Sequence, residues 1–239
     1  FDTIVLEKFE ACDAYAMEIL MDELDKETIE KSMLMADGKT LQDILSDEDY
    51  KELDAYFKEK LGQSVFLYQK MKPFFISSQI MQADMNQDMP DPLDLHFLKK
   101  ARKEGKLAFG VEEFEDQIGA IDQISLEDQA KMLMESIRDT SKESEQFDEL
   151  LETYLAGDIQ KMPELSADTS MPEKFNEAFM ITSNVSMDKN AIKLMKEQPT
   201  FIAVGAAHLG GPEGVIELIR KKGYEVKPIK FEFEKSTND

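Results

Sequence analysis

The sequence predicts an α/β fold with a small, mostly parallel or mixed central sheet, surrounding helices and a large all-helical cap. Apolar runs at residues 3–7, 106–112 and 200–205 are typical of buried strands, and residues 224–233 alternate like an edge strand. Most of the remaining chain has helical spacing, and no strand pattern interrupts residues 120–197. Strand and helix patterns at both ends with helices between them favour a sheet that carries a helical insertion.

Length and composition indicate one globular domain. The chain has 239 residues, of which 42% are hydrophobic and 33% charged, whereas domains average about 150 residues. We therefore expect residues 1–239 to form a single domain, with residues 120–197 as the helical cap within it.

Capping patterns define the predicted helices. Ser46 and Asp49 form a capping-box start for a helix that ends at Gly62, and Gly105 ends another. Pro73 predicts a kink or break in the helical stretch 64–82. The other predicted segments are a loop at 81–92 and helices at 93–104, 125–155, 173–183 and 187–197.

Charge and cysteine content exclude several classes of function. Lys and Arg number 28 and Asp and Glu number 50, so the net charge is −22, and such a surface repels nucleic acid and anionic lipid. The single Cys12 and two histidines permit neither an internal disulfide nor a Cys/His zinc cluster. No apolar run approaches the roughly 20 residues of a membrane span. The chain opens directly on a strand-like run, and we expect a segment to precede it.

Ionisable residues follow the three predicted buried strands. Glu7 and Glu112 end two of them, and His208 lies three residues after Gly205. Because ligands bind beyond the carboxyl ends of parallel strands, these side chains are expected to converge. Two carboxylates and one imidazole suit either a divalent metal, such as Mn²⁺, Co²⁺ or Zn²⁺, or acid–base chemistry. The alternative is that Glu7 and Glu112 only cap the following helices.

The loop that carries His208 is the most informative stretch. It reads Gly-Ala-Ala-His-Leu-Gly-Gly-Pro-Glu-Gly at 205–214, and its small residues give a histidine little core to fill. Neither G-x-G-x-x-G spacing nor a Lys-Ser/Thr pair is present, which disfavours a nucleotide. His96 instead fits a helix surface. The sequence therefore favours a functional role for His208.

Segments spread over almost the whole chain resemble the TraB/GumN family, in the family's order. That family includes the Tiki-type metalloproteases and is related to haem-binding ChaN-like and erythromycin-esterase-like proteins. The resembling segments are Phe-Asp-Thr-Ile-Val-Leu-Glu at 1–7, residues 37–50, 71–75, 93–101 and 110–117, Tyr-Leu-Ala-Gly-Asp at 154–158, the glycine-rich stretch 203–215, and Lys-Gly-Tyr at 222–224.

The resemblance implies a site of two Gly-x-x-His motifs, an acid after the second strand and an Arg-Asn pair. Gly205 and His208 match the second Gly-x-x-His motif, Glu7 the strand-end acid, and Glu112 the acid of a Gly-Leu-Glu-like segment. The Arg-Asn pair aligns with Ser183 and Asn184, so a bidentate cation is replaced by a hydroxyl. The first Gly-x-x-His motif would precede Phe1.

The leading hypothesis is a metal-dependent hydrolase, peptidase-like, acting on a peptide or small-molecule substrate. His208 and Glu7 would be catalytic groups or metal ligands, Glu112 would assist, and Gly205 and Asn184 would contribute to binding. The alternative is a non-catalytic peptide- or ligand-binding module of the same fold; a weaker one is haem or metal binding. Because the first Gly-x-x-His motif would precede Phe1 and Ser183 replaces the arginine, we expect this chain alone to bind metal weakly and to be inactive. The resemblance favours an exported protein or lipoprotein, and the oligomeric state stays open.

Overall fold

The protein has a three-stranded parallel sheet with the strand order β2-β1-β3. The computed structural model describes residues 3–84, 91–138, 140–167 and 173–230. The strands are β1 (Ala14–Met17), β2 (Leu107–Gly110) and β3 (Thr200–Ile202). Ala14 pairs with both Leu107 and Thr200, so all three strands start in register and end at one edge. The predicted α/β class is confirmed, as are the strands predicted within 106–112 and 200–205.

The strand predicted at residues 3–7 is wrong, because these residues begin helix α1 (Thr3–Glu10). Val5, Leu6 and Phe9 recur at helical spacing, and all three belong to one apolar cluster against the sheet. The central strand instead follows this helix. It reads Ala-Tyr-Ala-Met and is wholly buried, but it contains no β-branched residue and so has a weak strand signal.

Helices make up most of the remaining described chain. They are α2 (Lys26–Met33), α3 (Leu41–Ile44), α4 (Asp47–Leu61), α5 (Pro73–Asp84), α6 (Leu93–Glu104), α7 (Phe114–Ile121), α8 (Leu126–Arg138), α9 (Thr140–Leu155), α10 (Met162–Ser166), α11 (Glu173–Asn176), α12 (Ser183–Glu197) and α13 (Val215–Lys221). A π-helical stretch, Glu177–Thr182, joins α11 to α12, and the 3₁₀ turns are Met21–Glu23, Ala36–Gly38, Val65–Tyr68 and Ala206–His208.

The helix ends predicted at residues 46, 62 and 105 are confirmed, whereas the break predicted between 183 and 187 is wrong, because α12 runs from Ser183 to Glu197. Ser46 caps α4 by accepting a hydrogen bond from the Asp49 N–H, and Gly62 and Gly105 end α4 and α6 in the left-handed conformation. Pro73 begins α5, so the predicted kink is a complete break. Residues 224–230 are not in a strand, and 231–233 lie outside the described residues. The loop predicted at 81–92 begins later, because α5 reaches Asp84. Residues 85–90 of that loop also lie outside the described residues.

Of the four apolar clusters formed by the described residues, the two largest lie at the sheet and among the helices. One surrounds the sheet, where Phe9, Phe97 and Phe201 pack with ring centroids 5.1–5.5 Å apart. Tyr15 packs with them, and its hydroxyl donates a hydrogen bond to the Asp94 backbone carbonyl. Burial, together with the Asp94 charge, raises the pKa of Tyr15. The other lies among the helices and includes Leu41, Leu53, Phe57, Ile76 and Leu133. Helix α8 therefore packs on α4 and α5. The helical cap at 120–197 and the single-domain organisation remain predictions.

No helix within the part of the chain that the structure describes is long and apolar enough to cross a membrane.

Asp54 gives the helical core an acid-sensitive contact. Its carboxylate accepts hydrogen bonds from Ser64 and the Val65 N–H and pairs with Lys58. The Lys58 hydrogen bond, followed by that of Ser64, lowers its pKa. Because the folded-state pKa lies below the unfolded value of about 3.9, the stabilisation is present above that pH and is lost as the pH falls through the folded pKa.

We expect Asp54→Asn to lower the free energy of unfolding by about 1 kcal/mol at pH 7. The deficit should shrink as the pH falls through the folded-state pKa of Asp54, because the wild-type carboxyl then becomes neutral as well. Urea unfolding of both proteins between pH 2 and pH 7 measures this difference. A deficit that is constant over that range would exclude the ionised carboxylate as its cause.

Candidate functional site

The site lies where the three parallel strands end. Glu18 directly follows β1, Glu112 lies two residues beyond β2, and the 3₁₀ turn that contains His208 follows β3. The backbone N–H groups of Val111 and Glu112 both donate to the Glu18 carbonyl, at 3.1 and 2.8 Å. These bonds hold the chain after β2 against the chain after β1.

The Glu18 side chain joins the ends of β1 and β3. Its Oε1 accepts a hydrogen bond from the Gly205 N–H at 2.5 Å, a contact strengthened by the carboxylate charge. A Cβ atom at residue 205 would lie 3.1 Å from Glu18 Oε1 and 3.5 Å from His208 Cδ2. Glu18 and His208 therefore flank Gly205, and a side chain at that position would crowd both of them.

His208 is buried and is held through one ring nitrogen. Its Nδ1 lies 2.8 Å from Asn184 Oδ1, while Asn184 Nδ2 donates to the Glu213 carbonyl at 3.0 Å. The second contact assigns the amide orientation, so the atom that faces the imidazole is an oxygen that can only accept. Nδ1 must then carry the hydrogen, which leaves the lone pair on Nε2. This tautomer can take a proton or bind an electrophile.

Glu112 is buried beside a cleft. It is 6% exposed, and its Oε2 accepts a hydrogen bond from Gln117 Nε2 at 2.9 Å. The cleft has a volume of about 490 Å³, lies between α7, the π-helical stretch and the start of α12, and is large enough for a small ligand. Its lining comprises Glu112, Glu115, Asp116, Gly119, Ala120, Gln123, Ala178, Thr182, Ser183, Val185, Ser186 and Lys189.

Ser183 occupies the position that the family resemblance gives to an arginine. Its side chain lines the cleft and is 4% exposed, yet Oγ has no hydrogen-bond partner among the described residues. An unpaired buried hydroxyl costs stability unless a ligand or water satisfies it. Ser183 thus places a buried hydroxyl without a partner among the described residues beside the cleft.

Close backbone contacts fix the loop that carries His208. A Cβ atom at residue 210 would lie 1.8 Å from the Ile159 carbonyl oxygen, and one at residue 214 would lie 2.0 Å from the Gly210 carbonyl oxygen. Only glycine fits these positions. The loop is thereby held against the segment that joins α9 to α10.

The structure does not bring Glu7 to this site. Glu7 is exposed on α1 and follows no strand, because residues 3–7 are helical. Glu112, Asn184, Gly205 and His208 do lie at the ends of the strands or on α12 beside them. Sequence reasoning missed Glu18, although an acid directly after the apolar run Ala14–Met17 was a usable signal.

The described residues do not form a complete metal centre. Glu18 and His208 offer one carboxylate and one imidazole, but no group of three or more His, Cys, Asp and Glu side chains in the described ranges could hold an ion. A catalytic divalent metal usually needs three protein ligands besides water. The donor set present here therefore does not fit a resident catalytic ion.

Comparison with known proteins assigns the family. The model of the TraB/PrgY/gumN family matches residues 1–228. Metalloprotease TIKI1 of Danio rerio is 23% identical over 254 residues, covering 83% of this chain and 51% of that protein. Metalloprotease TIKI2 of Xenopus tropicalis is 22% identical over 248 residues, covering 81% of this chain and 47% of that protein. This chain spans about half the length of these curated relatives.

No solved structure matches the chain significantly. The family match covers the sheet together with Glu18, Asn184 and His208. The resemblance stated from the sequence is thereby confirmed, and the chain belongs to the TraB/PrgY/gumN family.

Proposed function

We propose that this chain is a hydrolase that cleaves peptide bonds, with Glu18 and His208 as its acid–base pair. One observation carries the proposal: Glu18 and His208 flank Gly205 at the end of the sheet, with the imidazole in a single tautomer through Asn184. The similarity to proteins named metalloproteases supports the choice of peptide bonds.

The two side chains can divide the proton transfers of hydrolysis. His208 Nε2 takes a proton from the attacking water and returns it to the leaving amine. A carboxylate beside the imidazole stabilises the imidazolium formed between these steps. Glu18 is suited to that role because its Oε1 is fixed by the Gly205 N–H. Glu112 lines the adjacent cleft, where it can orient the substrate or the water.

The proposal includes a dependence on Mn²⁺, Co²⁺ or Zn²⁺ only because the relatives are named metalloproteases. Glu18 and His208 supply two ligands, so a third would have to come from outside the described residues. Calorimetric titration of the chain is expected to show dissociation constants weaker than about 100 µM, since zinc sites with complete ligand sets bind far more tightly.

Activity is tested with a library of quenched fluorescent peptides, with and without each metal and with EDTA. The sequence predicted an inactive chain because the first Gly-x-x-His motif would precede Phe1 and Ser183 replaces the arginine. With Glu18 and His208 both at the end of the sheet, we propose instead that the chain itself cleaves peptides. His208→Ala is the control, and it should reduce cleavage by about 100-fold or more. Cleavage that His208→Ala leaves intact would place the activity elsewhere in the protein or in a contaminant.

Asn184 is proposed as a positioning residue that acts through His208. Without the Asn184 side-chain carbonyl, the imidazole hydrogen is no longer confined to Nδ1. Loss of such an orienting partner typically costs about 10- to 100-fold in activity. We expect Asn184→Ala to lower kcat by that factor with little change in KM. Nitrogen NMR of His208 should also show a mixture of tautomers. An unchanged Nδ1–H tautomer in the variant would contradict the assigned orientation.

A non-catalytic module that captures peptides is the second candidate, and Ser183 favours it. A hydroxyl without a partner among the described residues suits ligand binding in the cleft, whereas the arginine implied by the resemblance is replaced. Peptide binding without cleavage under any metal condition would support this candidate over the hydrolase.

A further inference from the structure

We propose that a groove of lysines on α12 docks an acidic segment of the peptide substrate; its role in substrate recognition rests on the proposed function. The groove has a volume of about 430 Å³ and is called the lysine groove here. It is lined by Lys189, Ile192, Lys193, Lys196, Glu197 and Lys222.

The lysine groove concentrates positive charge along one face of α12. Lys189, Lys193 and Lys196 recur on one exposed face of α12, and none forms an ion pair within the described ranges. Lys222 pairs with the buried Asp188, and Glu197 is the acid in the lining. In a chain with 50 acidic and 28 basic residues, three adjacent lysines without acidic partners in the described structure are unexpected. An anionic ligand would compensate their charge.

The lysine groove and the cleft beside Glu112 share one lining residue. Lys189 lines both cavities, and the cleft beyond it contains Glu112 and Ser183. A peptide held by Lys193 and Lys196 would therefore reach that cleft if it extended past Lys189. The groove is suited to select substrates by an acidic segment outside the scissile bond.

Helix geometry and net charge define the chemistry of the ligand. Lys189 and Lys193 are separated by about 6 Å along the helix axis, at 1.5 Å per residue. Carboxylates at alternate positions of an extended peptide are spaced by about 6.6 Å, which matches that separation. Long polyanions such as nucleic acid would extend beyond the groove and meet the protein's excess of negative charge. At physiological salt, charges more than about 8 Å away are largely screened. A short acidic segment in the groove therefore interacts mainly with the nearby lysines and little with the distant acidic residues of the protein.

Fluorescence anisotropy with labelled (Glu-Ala)₄, (Gln-Ala)₄ and (Lys-Ala)₄ peptides tests the docking site. We expect only (Glu-Ala)₄ to bind, more weakly at higher salt. The double variant Lys193→Glu/Lys196→Glu should weaken binding at least 10-fold. The control Lys26→Glu/Lys51→Glu changes the net charge equally on exposed positions of α2 and α4, and it should change binding less than about 2-fold. Equal losses in both variants, no binding of (Glu-Ala)₄, or equally tight binding of an octanucleotide would overturn the proposal.

A cleavage assay separates this inference from the proposed function. Two quenched peptides share one cleavable core, and one of them carries a (Glu-Ala)₄ extension. Docking predicts a lower KM for the extended peptide, which Lys193→Glu/Lys196→Glu removes. Groove-dependent binding without cleavage of either peptide would refute the hydrolase and retain the docking site. Cleavage of both peptides with equal KM would refute the role of the groove in substrate recognition.

Discussion

Replacing Glu18 by glutamine is expected to reduce peptide hydrolysis about 100-fold or more. The variant keeps the shape of the side chain and can still accept a hydrogen bond from the Gly205 N–H, but it removes the negative charge beside His208. Loss of a general acid–base partner typically costs about 10²- to 10⁴-fold. We expect the effect in kcat, because the charge acts on the imidazolium formed during the reaction. Initial rates over a range of peptide concentrations measure it.

Glu7→Gln is the matched control for this prediction. Glu7 is exposed on α1 and follows none of the three strands. The same change of chemistry there should alter the rate less than about 2-fold, as expected for a surface substitution away from the site. A large loss in Glu7→Gln with a normal rate in Glu18→Gln would reverse the assignment of the strand-end acid.

Gly210→Ala is expected to destabilise the protein by about 2–3 kcal/mol, because its methyl group would overlap the Ile159 carbonyl. For a chain of this size the melting temperature should fall by about 5–10 °C. The backbone of the His208 loop must shift to relieve the overlap, so hydrolysis should fall as well. Calorimetry and the peptide assay measure the two effects on the same sample.

Gly119→Ala is the matched control for Gly210→Ala, and we expect it to change the stability in the opposite direction. Gly119 lies within α7 and is exposed, and a methyl group added there would meet no described atom within 4 Å. Alanine is favoured over glycine in a helix by about 0.5–1 kcal/mol, so this variant should be more stable than the wild type. If both alanine variants change stability alike, the close contact at Gly210 does not govern the loop.

Local signals in the sequence predicted much of the helical structure. Ser46, Gly62 and Gly105 act at helix ends through contacts within a few residues, so their effects are visible without the fold. The strands at 107–110 and 200–202 were predictable because apolar residues are concentrated there. The central strand was not, since Ala14 and Ala16 carry little strand propensity and the more apolar run before it packs as a helix.

The site was predicted in part, for a related reason. His208 and Glu112 could be placed at the candidate site because each follows a correctly predicted strand, whereas the misassigned first strand put Glu7 in the place of Glu18. The contacts that give the site its chemistry join distant positions, namely Glu18 with Gly205 and Asn184 with His208. Such contacts depend on strand order and helix packing, which local patterns do not specify.

A double-mutant cycle on Glu18 and His208 tests the central claim most directly. The peptide-hydrolysis rates of Glu18→Gln, His208→Gln and the double variant are compared with that of the wild type. If the two side chains act as one unit, the double variant should lose about as much activity as the more severe single variant. Losses that multiply would show that Glu18 and His208 act independently, and they would contradict a shared site at the end of the sheet.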